Sequence, residues 1–437
     1  QTFKTGIRSY FSTPDSHQSY INNSKHLNNF VPDKRYTMKR ILFVYLFLGG
    51  LLLHEAGNAC TSVIVSGKAT PDGRPLMWKH RDTGTRYNHI TFEKGEKFNF
   101  LGLANSDSTD YDIWTGVNEA GFAIMNTASF NLKDDDVQEM DHEGRLMRRA
   151  LEICKNQQDF EHFLDTLSRP MRVEANFGII DAYGGAAYYE TNNTRYYKKD
   201  VNDPNLVPDG YLVYTNFSFE GRKDEGYGYI RYESAKKIFA DIYPQGLTHR
   251  SIFQEVSHSF YHSLFQKDMK EEKNTEWQLE QDLIPRFEST ASIVIQGVKK
   301  GMNPELTTMW TELGYPPTAI ALPLWVKLGE KQPELVLYSP QFKTAPLCYF
   351  ATLLKTQAYP IHRGNGQKYI HWSELWNAQG TGYMQTLMPV WNEIYDLFAR
   401  HQAEWEQKGL DVETINRLYQ EAEEKIKPAY YRLMRVD

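Results

Sequence analysis

Cys60 follows a segment with the features of a secretion signal, and this position would give it a distinctive chemistry. Residues 38–40 form a basic start, residues 41–53 are apolar, and residues 57–59 (Gly-Asn-Ala) form a small-residue cleavage site. Cleavage behind this site would leave Cys60 first in the chain, with a thiol and a free α-amine on one residue. A thiol with a pKa of about 8.5 is mostly protonated at neutral pH, whereas an α-amine with a pKa of about 7.7 to 8.0 can accept a proton there. Cys60 would then supply both nucleophile and base without a histidine partner.

Two other interpretations of Cys60 stay open at this point. A cysteine behind a signal peptide can be the lipid-modified first residue of a lipoprotein, which would consume the thiol and the amine and leave an anchored binding protein. The residue three positions earlier is Gly57, where a lipidation site would have leucine. Alternatively, Cys60 is a small buried hydrophobic residue at the start of a strand, which is the commonest fate of a free cysteine.

An amide-cleaving cysteine of this kind needs particular neighbours. It requires a carboxylate that orients the amine, donors for the oxyanion, and positive charge that favours the thiolate. Asp82 is the best candidate carboxylate, because the turn at residues 71–73 (Pro-Asp-Gly) would fold the next strand back towards Cys60. Lys79 and Arg81 precede Asp82 and could supply the charge. On its own, this Lys-His-Arg-Asp run could equally be a charged strand end.

The elements that would position these residues follow the order hairpins, helices, strands and helices along the chain. Runs rich in β-branched and aromatic residues predict strands, and apolar residues spaced three and four apart predict helices. Strands are predicted at 61–66, 76–78, 113–128 (two strands with a turn at 118–121), 177–181, 186–190, 211–214, 292–295 and 335–338, and helices at 143–167, 232–242, 248–264 and 388–434. Segregated strands and helices favour an α+β fold with antiparallel sheets covered by helices.

Composition is typical of a folded soluble protein and excludes some partners. Of the 437 residues, 41% are hydrophobic and 24% are charged. The net charge of −6 and the scatter of lysine and arginine leave no basic face for nucleic acid. The apolar run at 41–53 is shorter than the roughly 20 residues that cross a bilayer, and no later segment qualifies. We therefore expect no stable membrane insertion after signal removal.

The chain divides into three parts. Residues 1–37 are polar and precede a methionine that starts a complete signal, so we interpret them as an upstream non-native or disordered segment. The signal peptide covers residues 38–59. Neither an internal repeat nor a flexible linker divides residues 60–437, which we expect to form a single domain with a helical C-terminal part.

Several motifs resemble one enzyme family. Cys60-Thr61-Ser62 opens a hairpin that returns through a basic residue and Asp82, a Gly-Val-Asn-Glu-Ala-Gly-Phe-Ala run covers 116–123, and a later strand ends in Tyr-Thr-Asn at 214–216. In this order, up to about residue 240, they are similar to the N-terminal nucleophile (Ntn) hydrolases of the choloylglycine hydrolase, penicillin V acylase and acyl-CoA:6-aminopenicillanate acyltransferase type. The resemblance implies a four-layer αββα sandwich of two antiparallel sheets, with the nucleophile at the end of an inner strand.

The resemblance also implies roles for individual residues. Cys60 would be the nucleophile, its amine would be the general base, and Asp82 would hold the amine. Asn216 would donate its side-chain amide to the oxyanion. Arg231 resembles the family's later arginine, and Asn126 is the candidate for a second oxyanion residue.

The chain departs from the family where the hairpin returns. The usual family motif there is Arg-Asn-any-Asp, whereas residues 79–82 read Lys-His-Arg-Asp. Either Lys79 replaces the arginine, in which case the bidentate hydrogen bonding of a guanidinium is lost, or Arg81 replaces it from a shifted position. The short interval to Arg231 fits the acyltransferase branch better than the bile-salt branch.

Other candidate sites have weaker signals. Aromatic residues could line an acyl pocket, and four lie near the proposed site in motif order: Tyr87, Trp114, Phe130 and Phe217. His258 and His262 are four residues apart on a predicted helix, but a solvated helix face accounts for them better than a metal site without a third ligand. Three cysteines exclude a disulfide framework, although one bridge from Cys154 to Cys348 is possible. A cysteine protease site on Cys154 would need a distant histidine, and its helical surroundings favour a core position.

Together these features predict an exported N-terminal cysteine hydrolase, periplasmic or secreted. It would cleave a linear amide C–N bond of a small N-acylated substrate through a thioester, without metal or organic cofactor. The alternatives are an acyltransferase that uses the same thioester and a lipid-anchored surface binding protein with a lipidated Cys60. The expected partner is a small-molecule acyl amide, with no nucleic acid, and the chain could form a homo-oligomer.

Overall fold

Two large antiparallel sheets and the helices that cover them make up most of the described chain. The structure, a computed structural model, describes residues 59–434. The predicted upstream segment at 1–37 and all of the predicted signal except Ala59 lie outside these residues. The chain has an α+β fold, which confirms the fold class expected from the sequence.

Strands dominate the chain up to residue 214, and helices dominate from residue 346 on. The strands are β1 (Thr61–Val65), β2 (Leu76–Asp82), β3 (Asn88–Glu93), β4 (Phe100–Asn105), β5 (Thr115–Asn118), β6 (Ala123–Ala128), β7 (Ala175–Ile180), β8 (Ala186–Thr191), β9 (Tyr196–Asp200), β10 (Tyr211–Tyr214), β11 (Tyr261–His262), β12 (Lys267–Asp268), β13 (Trp277–Leu279), β14 (Ser289–Gln296), β15 (Thr308–Leu313), β16 (Leu322–Leu324) and β17 (Tyr369–His371). The helices are α1 (Glu143–Ile153), α2 (Gln157–Thr166), α3 (Tyr229–Ile242), α4 (His249–Ser251), α5 (Pro346–Ala358), α6 (Trp372–Leu375), α7 (Tyr383–Lys408) and α8 (Val412–Leu433).

The two large sheets differ in how far apart their strands lie in the sequence. One sheet has the strand order β3-β4-β5-β6-β7-β8-β9, so each strand pairs with its neighbour in the chain. The other has the order β10-β1-β2-β14-β15-β16, so β2 lies between the adjacent β1 and the distant β14. The strand that follows Cys60 is therefore an inner strand, between β10 and β2.

The sheets pack face to face, and a helical layer covers each outer side. Strands β1 and β2 contact β6, β7 and β8, and the Ser62 hydroxyl lies 2.9 Å from that of Tyr188 across the interface. Helix α1 packs on β4, β5 and β6, and Phe160 of α2 joins the same core as Phe177. On the other side, α3 packs on β10 and α5 on β15. This is the αββα order of layers that the sequence motifs implied.

Alternation along β2 sends its side chains to opposite faces of the sheet. Lys79 points towards the sheet formed by β3 to β9, where it donates a hydrogen bond to Asn126 of β6. Arg81 lies on the same face of β2. Trp78 points the other way and packs against Phe239 of α3, with ring centroids 6.1 Å apart. The strand therefore presents its cations between the sheets and its other polar residues towards the helical layer.

Three predicted elements differ from the structure. The predicted helix at 248–264 ends early, because α4 continues only as a π-helical segment, Ile252–Ser257, and the chain then enters the β11–β12 hairpin. The apolar residues that suggested a longer helix, such as Phe260, are buried in the turn that follows the π-helical segment. The predicted helix at 143–167 is two helices, because Asn156 caps α2 by accepting from the Asp159 N–H. The predicted strand at 335–338 is instead a 3₁₀ turn, Glu334–Val336, with Leu335 and Val336 in the core.

The end of the chain confirms a predicted helical region. Helices α7 and α8 pack against each other over most of 383–433. None of the helices between residues 59 and 434 combines the length and the apolar character that a membrane crossing requires.

Candidate active site

Cys60 stands at the start of β1 and keeps the register of the β1–β2 pair. The ladder extends to Ala59, whose N–H donates to the carbonyl oxygen of Asp82 at 3.2 Å. Cys60 therefore lies opposite Arg81, and residues directly opposite in an antiparallel pair share a face of the sheet. The Cys60 side chain is buried, with 5% exposed, and Sγ lies 4.0 Å from the Asp82 carbonyl oxygen.

Two buried cations share this inner face with Cys60. Lys79 donates from Nζ to the Trp114 carbonyl at 2.6 Å and to Oδ1 of Asn126 at 2.7 Å. Arg81 lies with its guanidinium 5.0 Å from the centre of the Trp114 ring. Burial lowers the pKa of Lys79 to about 8, although the charge of Cys60 acts against this change. Burial likewise lowers the pKa of Arg81 to about 10. Both residues that could replace the family arginine therefore lie beside Cys60.

Arg231 connects Cys60 to Asn216. It projects from the first turn of α3 and donates from Nη1 to the Cys60 carbonyl oxygen at 2.9 Å and to Oγ1 of Thr61 at 2.9 Å. Its Nη2 donates to Oδ1 of Asn216 at 2.7 Å, and Nδ2 of Asn216 donates to the Ala128 carbonyl at 3.0 Å. Burial lowers the pKa of Arg231 to about 9, and the positive charge of the neighbouring Arg286 contributes to this decrease.

A glycine makes room for this arginine. Gly228 precedes α3 with a φ of +79°, a conformation that favours glycine. A Cβ atom added there would lie 2.5 Å from Nη2 of Arg231. The position therefore requires glycine both for its backbone and for the space that Arg231 occupies.

Asp82 is held on the outer face of the sheet, towards the helical layer. Its Oδ1 accepts a hydrogen bond from the Ser289 hydroxyl at 2.6 Å, and its Oδ2 lies 2.7 Å from Nη2 of Arg286 in an ion pair. The same Nη2 donates to the carbonyl oxygen of Ala59 at 2.8 Å. Burial raises the pKa of Asp82, while Arg286, Arg231 and the Ser289 hydrogen bond act against that rise. Arg286 therefore links the Asp82 carboxylate to the carbonyl group of the peptide bond that precedes Cys60.

A polar chain continues from Asp82 into the helical layer. Ser289 lies 2.9 Å from Nε2 of His80, and Nδ1 of His80 lies 3.3 Å from the Ser257 hydroxyl. Burial lowers the pKa of His80 well below its usual value, so the ring is neutral at neutral pH. Lys355 donates to the carbonyl oxygen of Ser289 at 3.1 Å. The outer face thus holds the Asp82 carboxylate through several partners.

The four aromatic residues proposed as substrate walls lie at different distances from this cluster. Trp114 belongs to it, because Lys79 and Arg81 both lie over its ring. Phe217 follows Asn216 and stacks on Tyr229 of α3, with centroids 4.6 Å apart. Phe130 packs edge-on against Tyr227, and Tyr87 packs against the main core. The prediction that these four residues line a substrate-binding pocket stays a prediction.

The structure brings together Cys60, Lys79, Arg81, Asp82, Asn126, Asn216 and Arg231, which the sequence singled out. Sequence reasoning missed Arg286, Ser289 and the supporting role of His80. Arg286 lies just before β14, and Ser289 is the first residue of β14. The sequence predicted this strand from its apolar residues but did not predict that it pairs with β2. The sequence feature that could have indicated Arg286 is a basic residue ahead of a buried strand, and this feature is common in unrelated proteins.

Cys154 and His258 take structural positions. The three cysteines are free, so the possible bridge between Cys154 and Cys348 is not formed. Burial raises the pKa of Cys154 to about 12, which suits a core thiol and not a nucleophile. His258 pairs with Glu312 at 2.9 Å and does not share a helix with His262.

Comparison with known proteins found similar structures but no similar sequences. No family model matches the chain, and no curated protein matches it. A Caenorhabditis elegans N-acylethanolamine-hydrolyzing acid amidase (NAAA) ortholog aligns at 14% identity and a TM-score of 0.38, over 56% of this chain and 94% of its own. A mutant conjugated bile acid hydrolase from Clostridium perfringens aligns at 10% identity and a TM-score of 0.38, over 61% and 92% of the two chains. Penicillin V acylase from Agrobacterium tumefaciens aligns at 11% identity and a TM-score of 0.36, over 62% and 89%.

These structures bear the names of the same kinds of enzymes that the sequence motifs resemble.

Proposed function

We propose that this chain is an exported Ntn hydrolase whose mature form begins at Cys60. It would hydrolyse a linear amide C–N bond of a small N-acylated compound through a thioester. One observation carries the proposal: the hydrogen bonds of Arg231 join the Cys60 carbonyl to the Asn216 side chain, beside two further cations on the face of the sulfur. A merely structural cysteine does not require such surroundings.

The first half of the reaction would form the thioester. The amine of Cys60 takes the thiol proton, and the sulfur forms a bond to the carbonyl carbon of the substrate. The resulting oxyanion is stabilised by the Asn216 amide and a backbone donor. The C–N bond then breaks as the Cys60 ammonium returns its proton to the leaving nitrogen. The products of this half are an amine and an acylated Cys60.

The second half would release the acyl group. Water adds to the thioester carbon while the Cys60 amine accepts its proton. The C–S bond then breaks as the ammonium returns that proton to the sulfur, which gives a carboxylic acid, the free thiol and the free amine. If a second amine takes the place of water, the same intermediate yields a new amide, and the protein is an acyltransferase. Asp82 supports the amine from the outer face, and Arg286 keeps Asp82 in place.

The experiment that tests this function is turnover of a substrate panel by the purified mature protein. The panel contains glycine- and taurine-conjugated bile salts, penicillin V and N-acyl amino acids, each with and without an added acceptor amine. We expect release of free amine from at least one amide, with complete loss in Cys60→Ala. Activity that survives in Cys60→Ala would overturn the proposal, and amide exchange exceeding hydrolysis would assign the acyltransferase alternative.

A further inference from the structure

His80 is buried beside the proposed active site but takes no part in the proposed bond-making steps. It lies two residues before Asp82 on β2, and both side chains are fully buried. Nε2 of the ring lies 3.7 Å from Oδ1 of Asp82, which is too far for a direct hydrogen bond. Oγ of Ser289 lies between them, 2.9 Å from Nε2 and 2.6 Å from Oδ1. The Ser289 hydroxyl therefore bridges His80 and Asp82.

The hydrogen bonds of Ser289 decide which nitrogen of His80 carries the proton. A hydroxyl has one proton to donate and two lone pairs that accept. The Ser289 hydroxyl donates its proton to the Asp82 carboxylate, and one lone pair accepts from the backbone N–H of Arg286 at 3.0 Å. The second lone pair faces Nε2 of His80, so Nε2 has to be the donor. Because burial lowers the pKa of His80 and keeps the ring neutral, this is the tautomer with its proton on Nε2.

The contact on the other side of the ring agrees with this tautomer. Nδ1 of His80 lies 3.3 Å from the Ser257 hydroxyl, which donates its own proton to Ser292 at 2.9 Å. A neutral ring with its proton on Nε2 presents a lone pair at Nδ1, so neither group has a proton for this contact. The short contact of the ring is the one to Ser289.

The tautomer of His80 controls where the Ser289 proton goes. With a donor at Nε2, both lone pairs of the Ser289 hydroxyl are occupied, and its proton points to Asp82. If the proton of His80 were on Nδ1, Nε2 would accept the Ser289 proton, and the carboxylate would lose its donor. A hydrogen bond to an ionised carboxylate favours the ionised form. A hydroxyl that accepts hydrogen bonds also donates more strongly, because the bonds polarise one another.

We infer that His80 is a positioning residue for Asp82, because its Nε2–H directs the Ser289 proton to the carboxylate. The inference rests on the proposed function, in which ionised Asp82 supports the Cys60 amine. It adds that the tautomer of His80 helps to set the lowest pH at which Asp82 stays ionised. His80 acts through Ser289 and is not itself a catalytic residue.

The other titratable groups around this chain stay in place when His80 or Ser289 is changed. Four of them act on Asp82 or His80: Arg286 before β14, Arg231 on α3, Lys355 on α5 and His258 after the π-helical segment. Burial lowers the pKa of Lys355 to about 8, so this residue is protonated throughout the acidic range, as are the two arginines. Burial also lowers the pKa of His258 and keeps it neutral. A change in the acidic limb of the activity profile therefore reports the Ser289 hydrogen bond.

The first test measures kcat against pH for the panel amide that the wild-type mature protein cleaves fastest. Ser289→Ala removes a hydrogen bond that favours the ionised carboxylate, so the acidic limb should move to higher pH, by roughly 1 to 2 pH units. His80→Asn is too short to reach Ser289 and should move the limb in the same direction by less. His80→Gln places an amide N–H near the position of Nε2 and should keep the wild-type limb. Equal shifts in the Asn and Gln variants, or no shift in Ser289→Ala, would overturn the inference.

Two controls separate positioning from a loss of stability. Thr311→Val removes another buried hydroxyl from the same sheet, on β15, and its acidic limb should match that of wild type. The double variant of His80→Asn and Ser289→Ala should have the limb of Ser289→Ala alone, because His80 acts through that serine. Additive shifts in the double variant would show that His80 does not act through Ser289.

The second test needs no turnover and separates this inference from the proposed function. Heteronuclear NMR of the mature protein with isotope-labelled histidine and aspartate reports the tautomer of His80 and the titration of Asp82. His80→Gln and Asp82→Asn assign the two signals. We expect a neutral His80 with its proton on Nε2, and an Asp82 that titrates at higher pH in Ser289→Ala and His80→Asn than in wild type.

A proton on Nδ1 of His80 would contradict the inference, whatever the activity assays show. If no amide is cleaved, the proposed function fails, and the spectra still decide whether His80 positions Asp82. If the His80 variants do not fold, the wild-type tautomer and the titration in Ser289→Ala decide.

Discussion

Nη2 of Arg231 donates a hydrogen bond to Oδ1 of Asn216 at 2.7 Å, and this contact fixes the orientation of the Asn216 amide. Because the oxygen faces the guanidinium, the nitrogen faces Ala128, whose carbonyl accepts from Nδ2 at 3.0 Å. The same guanidinium bonds the Cys60 carbonyl. An arginine on α3 thus sets the position of Cys60, the proposed nucleophile, and of Asn216, the proposed oxyanion donor.

Substitutions of Asn216 test the oxyanion role. Asn216→Ala should lower kcat about 10²- to 10³-fold, the usual effect of losing one oxyanion donor. Asn216→Asp keeps an oxygen for Arg231 but lacks the amide N–H groups, so we expect a similar loss with an unchanged fold. Steady-state kinetics and circular dichroism check both variants. An unchanged kcat in Asn216→Ala would remove this residue from the mechanism.

Gly228→Ala should displace Arg231, because the added Cβ would lie 2.5 Å from its Nη2. Gly301→Ala is a matched control, since Gly301 also has a positive φ, of +89°, and no atom would meet its Cβ. Both variants should lose about 1 kcal/mol of stability from backbone strain. Only Gly228→Ala should also lower kcat/KM, by at least about tenfold, which corresponds to 1.4 kcal/mol. Equal kcat/KM values in the two variants would show that Arg231 need not occupy this place.

The pKa of Lys79, lowered by burial to about 8, predicts the alkaline limb of the activity profile. Lys79 loses its proton as the pH rises through this value, so the positive charge beside Cys60 disappears and kcat/KM should fall. In Lys79→Arg the charge persists, and the limb should move above pH 9. Both proteins keep Cys60 and its other neighbours, so the difference between the two profiles isolates Lys79. Superimposable alkaline limbs would argue against a charged Lys79 in the reaction.

The ion pair of Arg286 and Asp82 should dominate the stability of the outer face. Arg286→Gln leaves a buried carboxylate without its cation, which typically costs about 3 to 5 kcal/mol. Adding Asp82→Asn removes that carboxylate charge, so the double variant should lose less free energy of unfolding than the two single losses combined. Urea denaturation of the four proteins measures the coupling. Additivity within about 0.5 kcal/mol would mean that the two groups act independently.

The sequence predicted the parts of the site that local patterns mark. Cys60 and Asp82 lie on one hairpin whose turn is visible in the sequence, and Asn216 lies two residues beyond β10, a strand with β-branched and aromatic character. The pairing of β1 with β2 follows from a short connection. These positions could therefore be predicted without knowledge of the rest of the chain.

The remaining parts depend on pairings between distant segments. Ser289 bonds Asp82 across 207 residues of sequence, because β14 inserts beside β2. No feature near Arg286 predicts this insertion, and the buried strand that follows it could have paired elsewhere. The prediction of a helix at 248–264 was wrong for a related reason. The apolar residues at helical spacing there are buried by a π-helical segment and the β11–β12 hairpin instead of by one continuous helix.

The most direct test of the central claim is the intact mass and N-terminal sequence of the protein recovered from its native envelope. A chain that begins with unmodified Cys60, carrying a free thiol and a free amine, is the result we expect. A diacylated or triacylated Cys60, or a mature chain in which Cys60 is an internal residue, would contradict the claim that this cysteine is the nucleophile and its amine the base.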